Sequence, residues 1–419
     1  MTGFVGLGRA EVTTPDEMTS VEDHLAAIIG MLPRPEPIEL RLGDALGLVV
    51  AEDVHCEVVV PAFDSSAMDG YAVVAADLDE ASPTTPVEIA VVGDVVAGSG
   101  EVPPVGRGTC VRIMTGAQVP RGADAVVPVE VTVGGGERVT FLGPVPAGAN
   151  VRRAGEDLTP GVPLVRVGKR MGPAEVAILS TAGVTRVTCI PAPRVVVLST
   201  GDELVRADEV PAPGQVRDSN GPMLAAMVRA AGGLPFTTGI VGDSVAALTE
   251  AFEMNRGHAD LFVVSGGASA GTRDLLPDVL ASIGEGVAVK VAMRPGMPQV
   301  RGLVHGTPVV GLPGNPVSSF VSFEVFVRPA LRYLQGRRDT QRPTVVARAV
   351  EPLSAPPHKR GYVRVRLARG QAGWEARPTG GQGSHLVSSI AAADGLAIVP
   401  EAVTDVRVGD EVRVLLLVE

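Results

Sequence analysis

Asp202, Glu203, Asp274, Arg294 and Asn315 are the side chains best suited to chemistry in this chain, and all lie in glycine-rich loops. The loops belong to VVVLSTGDEL (195–204), DLFVVSGGASAGTRD (260–274), VAVKVAMRPGMP (287–298) and TPVVGLPGNPVSSF (307–320). Carboxylates suit a hard cation such as Mg2+, whereas bare backbone amides and a guanidinium suit anions. The combination points to a phosphorylated ligand handled with Mg2+. Each loop follows a short valine-rich run that reads as a fully buried parallel strand, and helical patterns separate several of them. In a doubly wound sheet, every loop leaving a strand's carboxyl end opens on one edge. The four loops are therefore expected to share a crevice.

Other chemistries fit less well. There is no GxxxxGK[ST] phosphate loop, and the six histidines form neither HExxH nor an i, i+4 pair. Gly267-Ala268-Ser269-Ala270-Gly271 matches GxSxG between a strand and a helical pattern, as a nucleophile elbow should. A serine hydrolase using Asp278 with His305, His358 or His385 is thus a rival. It is weakened by Asp278 falling in or near the next helix and by the lack of an HGGG-type loop. The alternative is that Ser269 and its flanking glycines cradle phosphate. Blander roles remain for single residues: helix capping for Glu203 or Asp274, and a turn acid for Asp243.

The elements that must position these loops follow from pattern. The chain of 419 residues is too long for one core, so several domains are expected. TSVEDHLAAIIGMLP reads as a helix capped at Thr19 or Ser20, with Glu22 in a capping box and Pro33 as its stop. Short valine-rich strands broken by glycine turns fill 61–150 and read as an inserted β domain. MGPAEVAILSTAGV returns to helical spacing, with Ala174, Ala177, Ile178 and Thr181 on one face. The expected domains are 11–60 together with 151–190, a discontinuous mixed α/β unit; the insert 61–150; an α/β domain 191–336; and a β domain 337–419. The last follows a polar linker, GRRDTQRP, and its strands alternate at period two. In the α/β domain, SNGPMLAAMVRAAGG, SVAALTEAFEMN and VSSFVSFEVFVRPALRYLQG read as helices. The fold class is α/β plus β, multidomain.

The net charge of −11 argues against nucleic-acid coating. It does not oppose a small anion, because screening over about 8 Å leaves the outcome to nearby cations. Cys56, Cys110 and Cys189 form no CxxC pair, which reads as buried thiols in a reducing compartment. The first residues lack a basic n-region, and no long apolar run follows, so a cytoplasmic protein without membrane contact is expected.

SSAMDGYA (65–72), RIMTGA (112–117), RRAGED (152–157), STGDEL, SGGASAGTRD and GLPGNPVS occur in an order that resembles the MoeA family of molybdopterin molybdenumtransferases, which includes the gephyrin E domain. The resemblance spans nearly the whole chain. It implies a homodimer that inserts molybdate into adenylylated molybdopterin and releases AMP, with the doubly wound domain binding the pterin. It implies Asp69, Thr115, Asp157, Glu203, Asp243 and Asp274 as catalytic, with Glu203 and Asp274 contacting Mg2+. It places the inserted β domain of one subunit against the sheet edge of the other. Substrate contacts would come from Thr200, Gly201, Ser265, Gly266, Gly267, Ser269, Gly271 and Lys290, then Arg294, Pro295, Gly314, Asn315, Pro316 and Ser318. Arg364 or Arg360 and Ser384 would join Arg294 and Ser318 around molybdate, although GYVRVRLA alone would put Arg364 on a solvated strand face. Transient contact with a molybdopterin adenylyltransferase or with apo-molybdoenzymes is a further implication. One departure stands out: the family loop often reads Lys-Pro-Gly-Lys-Pro, whereas here Met297 occupies the second cationic position. Restoring lysine there should strengthen oxyanion binding, unless Arg301 or Lys359 already fills the gap.

Overall fold

The computed structural model describes residues 18–267, 275–371 and 373–417. Ser269, Gly271 and Asp274 therefore lie outside the described residues. The chain divides into two compact units, one formed by 39–46 and 52–188, the other by the segments up to 38, 47–51 and from 189 onward.

In the smaller unit, six strands lie in the order Ala125–Pro128, Gly70–Val73, Thr109–Ile113, Val87–Val95, Arg138–Phe141 and Thr132–Gly134. Alternate residues fill opposite faces: Tyr71, Val73, Ile89 and Phe141 on one, Ala72, Val111, Ile113 and Val126 on the other. Gly70 opens a strand rather than forming a turn, because the Val127 backbone approaches so closely that no Cβ fits. The helix Pro173–Thr181 forms as expected, but its inward residue is Leu179 rather than Ala174, Ala177 or Thr181, which are exposed. A short helix that is apolar nearly all round does not announce which face is buried.

The larger unit carries a six-stranded sheet whose strands are β1 (Arg194–Thr200), β2 (Leu234–Val241), β3 (Leu261–Ser265), β4 (Gly284–Lys290), β5 (Pro298–Val304) and β6 (Thr307–Leu312). Their order is β2-β1-β3-β6-β5-β4, parallel from β2 to β6 and antiparallel at β5 and β4. The expectation of a parallel strand before the 291–298 loop thus needs correction, since β4 pairs only with its antiparallel neighbour β5. Two reversals still leave β4 pointing with β6, so this loop too opens on the carboxyl edge. β3 is buried along its whole length and β1 from Val195 onward. Helices Asn220–Ala230, Val245–Met254 and Leu275–Ile283 cover the sheet, contributing Leu224 and Val228 to one side and Leu248, Phe252, Leu276 and Leu280 to the other. Each such aliphatic side chain contributes roughly 1.5–3 kcal/mol on burial.

Helix Val21–Met31 also packs on this unit, which differs from the grouping of 11–60 with 151–190. Val21, Ile28 and Leu32 are buried with Phe326 and Leu331. Its cap is Ser20 paired with Asp23, not Thr19 with Glu22. The long helix expected at 317–336 is helical from Pro316 to Leu334 but contains a π segment, Phe323–Val327, just before Pro329, whose missing N–H breaks the regular ladder. The supposed linker after it is anchored: Arg342 donates to the buried Glu324 carboxylate at 2.5 Å. Beyond it, Thr344–Ala349, Arg360–Gly370, Gly373–Pro378, Gly395–Val399 and Glu411–Leu416 close into a barrel. Met293–Arg294 adds to that barrel by pairing parallel with Arg360 and Gly361.

Two predictions arise here. At the tip of β3, Gly266 has φ +96°, and a Cβ there would lie 2.5 Å from Thr200 O. At Gly314 the nearest atom would be 3.7 Å away. Gly266→Ala should therefore cost about 1–3 kcal/mol of stability, and Gly314→Ala little; equal melting temperatures for the two would contradict this. The second concerns His24, buried and accepting from Arg301 Nη1 through Nδ1 at 2.8 Å. Burial, then the Arg301 charge, lowers its pKa from 6.5 to about 3. The unfolded chain takes up the proton first, so this contribution to stability is complete above pH 6.5 and lost as pH falls toward 3. His24→Gln should flatten the acid limb of a stability–pH curve, by up to about 1.4 kcal/mol per pH unit.

Candidate functional site

The carboxyl edge of the six-stranded sheet gathers the loops that the sequence singled out. Strand order reverses its connection between β1 and β3, and the crevice outside that switch point is where such sheets bind ligands. Thr200 and Gly201 end β1, Ser265 to Gly267 end β3, Gly314 to Pro316 follow β6, and Asp243 follows β2. The Gly266 amide donates to Leu312 O at 3.2 Å, and Gly314 lies against Gly266. Gly266 also lies against Thr200, so the loops after β1, β3 and β6 touch.

A buried polar network fixes them, and sequence reasoning missed its key member. Asn220, at the start of its helix, sends Nδ2 to Ser265 Oγ and to Gly314 O, both at 2.7 Å. Ser265 Oγ is 3.4 Å from Ser319 Oγ, which donates to Pro313 O. The one available signal was a polar run, Asp218 to Asn220, facing two serine-bearing loops. Ser199 Oγ, Thr200 Oγ1 and Asn220 Oδ1 are buried at this edge without a hydrogen-bond partner among the described residues. Unmet polar groups are costly and recur at sites built for ligands.

Three exposed acids line the rim. Asp202 and Asp243 cap each other: the Asp243 amide donates to Asp202 Oδ1 at 2.9 Å, and the Asp202 amide to Asp243 Oδ2 at 3.4 Å. The following helix is capped by Ser244, so Asp243 is not its cap. The Glu203 carboxylate folds back over Gly201. Among the described residues no three acids, imidazoles or thiols converge as a ready-made metal site. Carboxylates of this kind nevertheless fit Mg2+, which takes one or two of them together with substrate phosphates.

At the far side of the edge, Arg294 and Pro295 face the barrel across a cavity of about 580 Å3 also lined by Glu351, Arg364, Gly380 and Gln382. Arg364 is 1% exposed, against the expectation of a solvated strand face. Its guanidinium donates to Ser389 Oγ, Gly381 O and Gly383 O at 3.1–3.3 Å. Burial pushes its pKa down to about 10, so it stays charged near neutrality. Glu351 is paired with Arg377, which leaves the arginines to set the local sign. Ser384 O accepts from the Val317 amide at 3.1 Å, which joins the barrel's 380–384 loop to the turn containing Ser318. Arg360 turns away into pairs with Glu22 and Glu401 at 2.6 and 2.7 Å. Arg301 is committed to His24. Lys290 is half-buried at the end of β4, its carbonyl accepting from the Thr19 amide.

In the smaller unit, the Thr115 amide and hydroxyl both donate to one Asp69 oxygen, at 2.6 and 2.7 Å. These bonds, the amide's first, hold the Asp69 carboxyl below its ordinary range. Asp157 is exposed on a neighbouring loop stitched to the same segment, its amide donating to Val60 O and that of Gly155 to Pro61 O. The rival hydrolase reading finds no support: Asp278 lies inside helix Leu275–Ile283, and His305 is bonded to Glu253 at 2.6 Å. All three cysteines are buried and free, and burial raises the Cys110 thiol to about 12. No described helix is long and apolar enough to cross a membrane.

Comparison with known proteins places this geometry. Residues 19–183 match the MoeA N-terminal region (domain I and II), 196–333 a probable molybdopterin binding domain, and 346–417 the MoeA C-terminal region (domain IV). The molybdopterin molybdenumtransferase 2 of Mycobacterium tuberculosis (strain ATCC 25618 / H37Rv) is 41% identical over 95% of this chain and 99% of its own length. The molybdopterin molybdenumtransferase of Staphylococcus aureus (strain MSSA476) is 33% identical over 94% and 95%. The solved molybdopterin biosynthesis MoeA protein from Pyrococcus horikosii superposes with a TM-score of 0.81 at 33% identity, covering 96% of this chain and 99% of that one. With three family regions in register and relatives matched end to end, the chain belongs to the MoeA family of molybdopterin molybdenumtransferases.

Proposed function

We propose that the chain inserts molybdate into adenylylated molybdopterin with Mg2+-dependent release of AMP. The observation that carries this reading is the pairing, along one sheet edge, of an amide-rich crevice with the cationic cavity between Arg294 and Arg364. The first suits a phosphoanhydride and the second a tetrahedral dianion.

The residues divide the work. Amides at Gly267 and Gly314, on loops shaped by Gly201 and Gly266, with the unmet Thr200 hydroxyl, orient the pterin phosphate and its adenylyl group. Glu203 would hold Mg2+, with Asp243 and Asp274 as partners; bound there, the ion neutralises phosphate charge and eases departure of AMP. Arg294, Arg364, Ser318 and Ser384 hold molybdate beside the pterin, so that two anions otherwise repelled in water are kept together. Pro295, Asn315 and Pro316 shape the passage between the two subsites, and Lys290 offers a further cation at its border. Asp69 and Thr115, already locked together, are offered to the site of a second subunit in a homodimer, with Asp157 nearby.

The test is an assay with adenylylated molybdopterin, Mg2+ and molybdate that follows AMP and molybdenum cofactor together. Glu203→Gln should raise the Mg2+ concentration needed for AMP release while leaving the melting temperature unchanged; unchanged Mg2+ dependence would remove Glu203 from the metal. Sharing of the site between subunits has its own signature. Mixed Asp69→Asn and Glu203→Gln subunits should recover about a quarter of wild-type activity, because half of the dimers carry one intact site. Sites confined to single subunits would recover none.

A further inference from the structure

Both protons of one buried side-chain amide lead to consecutive carbonyls of the turn after β6. Asn220 is 8% exposed and donates to Gly314 O and to Ser265 Oγ, each at 2.7 Å. Ser319 Oγ gives its own proton to Pro313 O, so in the 3.4 Å contact between the two hydroxyls the donor is Ser265. Donation therefore runs from Asn220 through Ser265 and Ser319 to Pro313 O, beside the direct bond to Gly314 O. In a planar trans peptide the carbonyl and the following N–H point in opposite directions. Drawing the Pro313 and Gly314 carbonyls into the network thus turns the Gly314 and Asn315 N–H groups away from it. Both residues are exposed, and neither N–H has an acceptor among the described residues. Gly314 lies against Gly266, so these donors stand beside the loop after β3.

We propose that Asn220 is a positioning residue of the crevice, aiming the Gly314 and Asn315 N–H groups at an anionic oxygen of the adenylylated pterin. The inference rests on the reading of the crevice as the site of that substrate. Asn220 begins helix Asn220–Ala230, which is fixed in the core through Leu224 and Val228, so the amide is anchored independently of the turn it holds. A carboxamide suits the task, because it places two donors at a fixed angle on a short stem. An ionised aspartate of the same shape would offer none. Since the side chain is buried, its effect on a ligand passes through the two backbone amides.

The test is a substrate titration of AMP release by the full-length protein with Mg2+ and molybdate, giving KM and kcat for adenylylated molybdopterin beside melting temperatures. Asn220→Ala and Asn220→Leu should each raise KM about tenfold or more, the loss of a charge-assisted contact, and leave kcat within about threefold. A contact held equally in ground and transition states acts on KM alone. Ser319→Ala breaks only the limb to Pro313 and should raise KM by about threefold. A purely structural role predicts another split: a lower melting temperature and a lower apparent kcat, from fewer folded molecules, with KM unchanged. That result overturns the proposal; if the Asn220 variants do not fold, an unchanged KM in Ser319→Ala does so. AMP release with wild-type KM and kcat in every variant removes Asn220 while the proposed function stands. No AMP release by wild type removes that function, and this inference with it.

Discussion

Burial of β3 and of β1 from Val195 onward is the constraint on which the rest of the larger unit depends. A strand covered on both faces must satisfy its backbone within the sheet, since no water reaches it. Amides become available for a ligand only where the ladder stops, at the carboxyl edge. The glycines there let the loops come together: the approach of Gly266 to Thr200 leaves no room for a side chain between the ends of β1 and β3. Hydrophobic burial and a polar, glycine-lined edge are thus two outcomes of one arrangement.

The same edge is extended by a second device. The strand β4 points with β6, although it is joined to the sheet through antiparallel β5, and its outgoing loop pairs with the C-terminal barrel. Two residue pairs therefore fix where Arg294 stands relative to Arg364. Burying the Arg364 guanidinium is costly unless its donors are met. Carbonyls of Gly381 and Gly383 and the hydroxyl of Ser389 meet three of them, which stiffens the loop carrying Ser384. A cationic wall is thereby fixed in place.

Asp69 follows a related logic in the smaller unit. Two donors from Thr115 fix the carboxylate and favour its ionised form, yet it remains exposed. Such a group is oriented before any partner arrives. The ties among 61–69, 115–119 and 150–155, including Arg153 to Asp64 at 2.6 Å, keep that loop cluster in shape.

Much of this was legible in the chain itself. Valine-rich runs ending in glycine determine strands and phosphate-type loops, because aliphatic packing and positive φ leave few alternatives. Ser244 before its helix and Pro316 at the start of another are equally local signals. The motif order over 65–320 carried the family. Tertiary structure decided whatever depends on partners distant in sequence. Periodicity could not show that β4 is antiparallel to its neighbour, since both directions present the same valines. It could not bury Arg364, because alternation is silent on whether a loop returns to cover a face. Nor could it assign Asn220 to two loops or Leu179 to the inner side of its helix. Each of those is a contact between residues that the chain alone does not bring together.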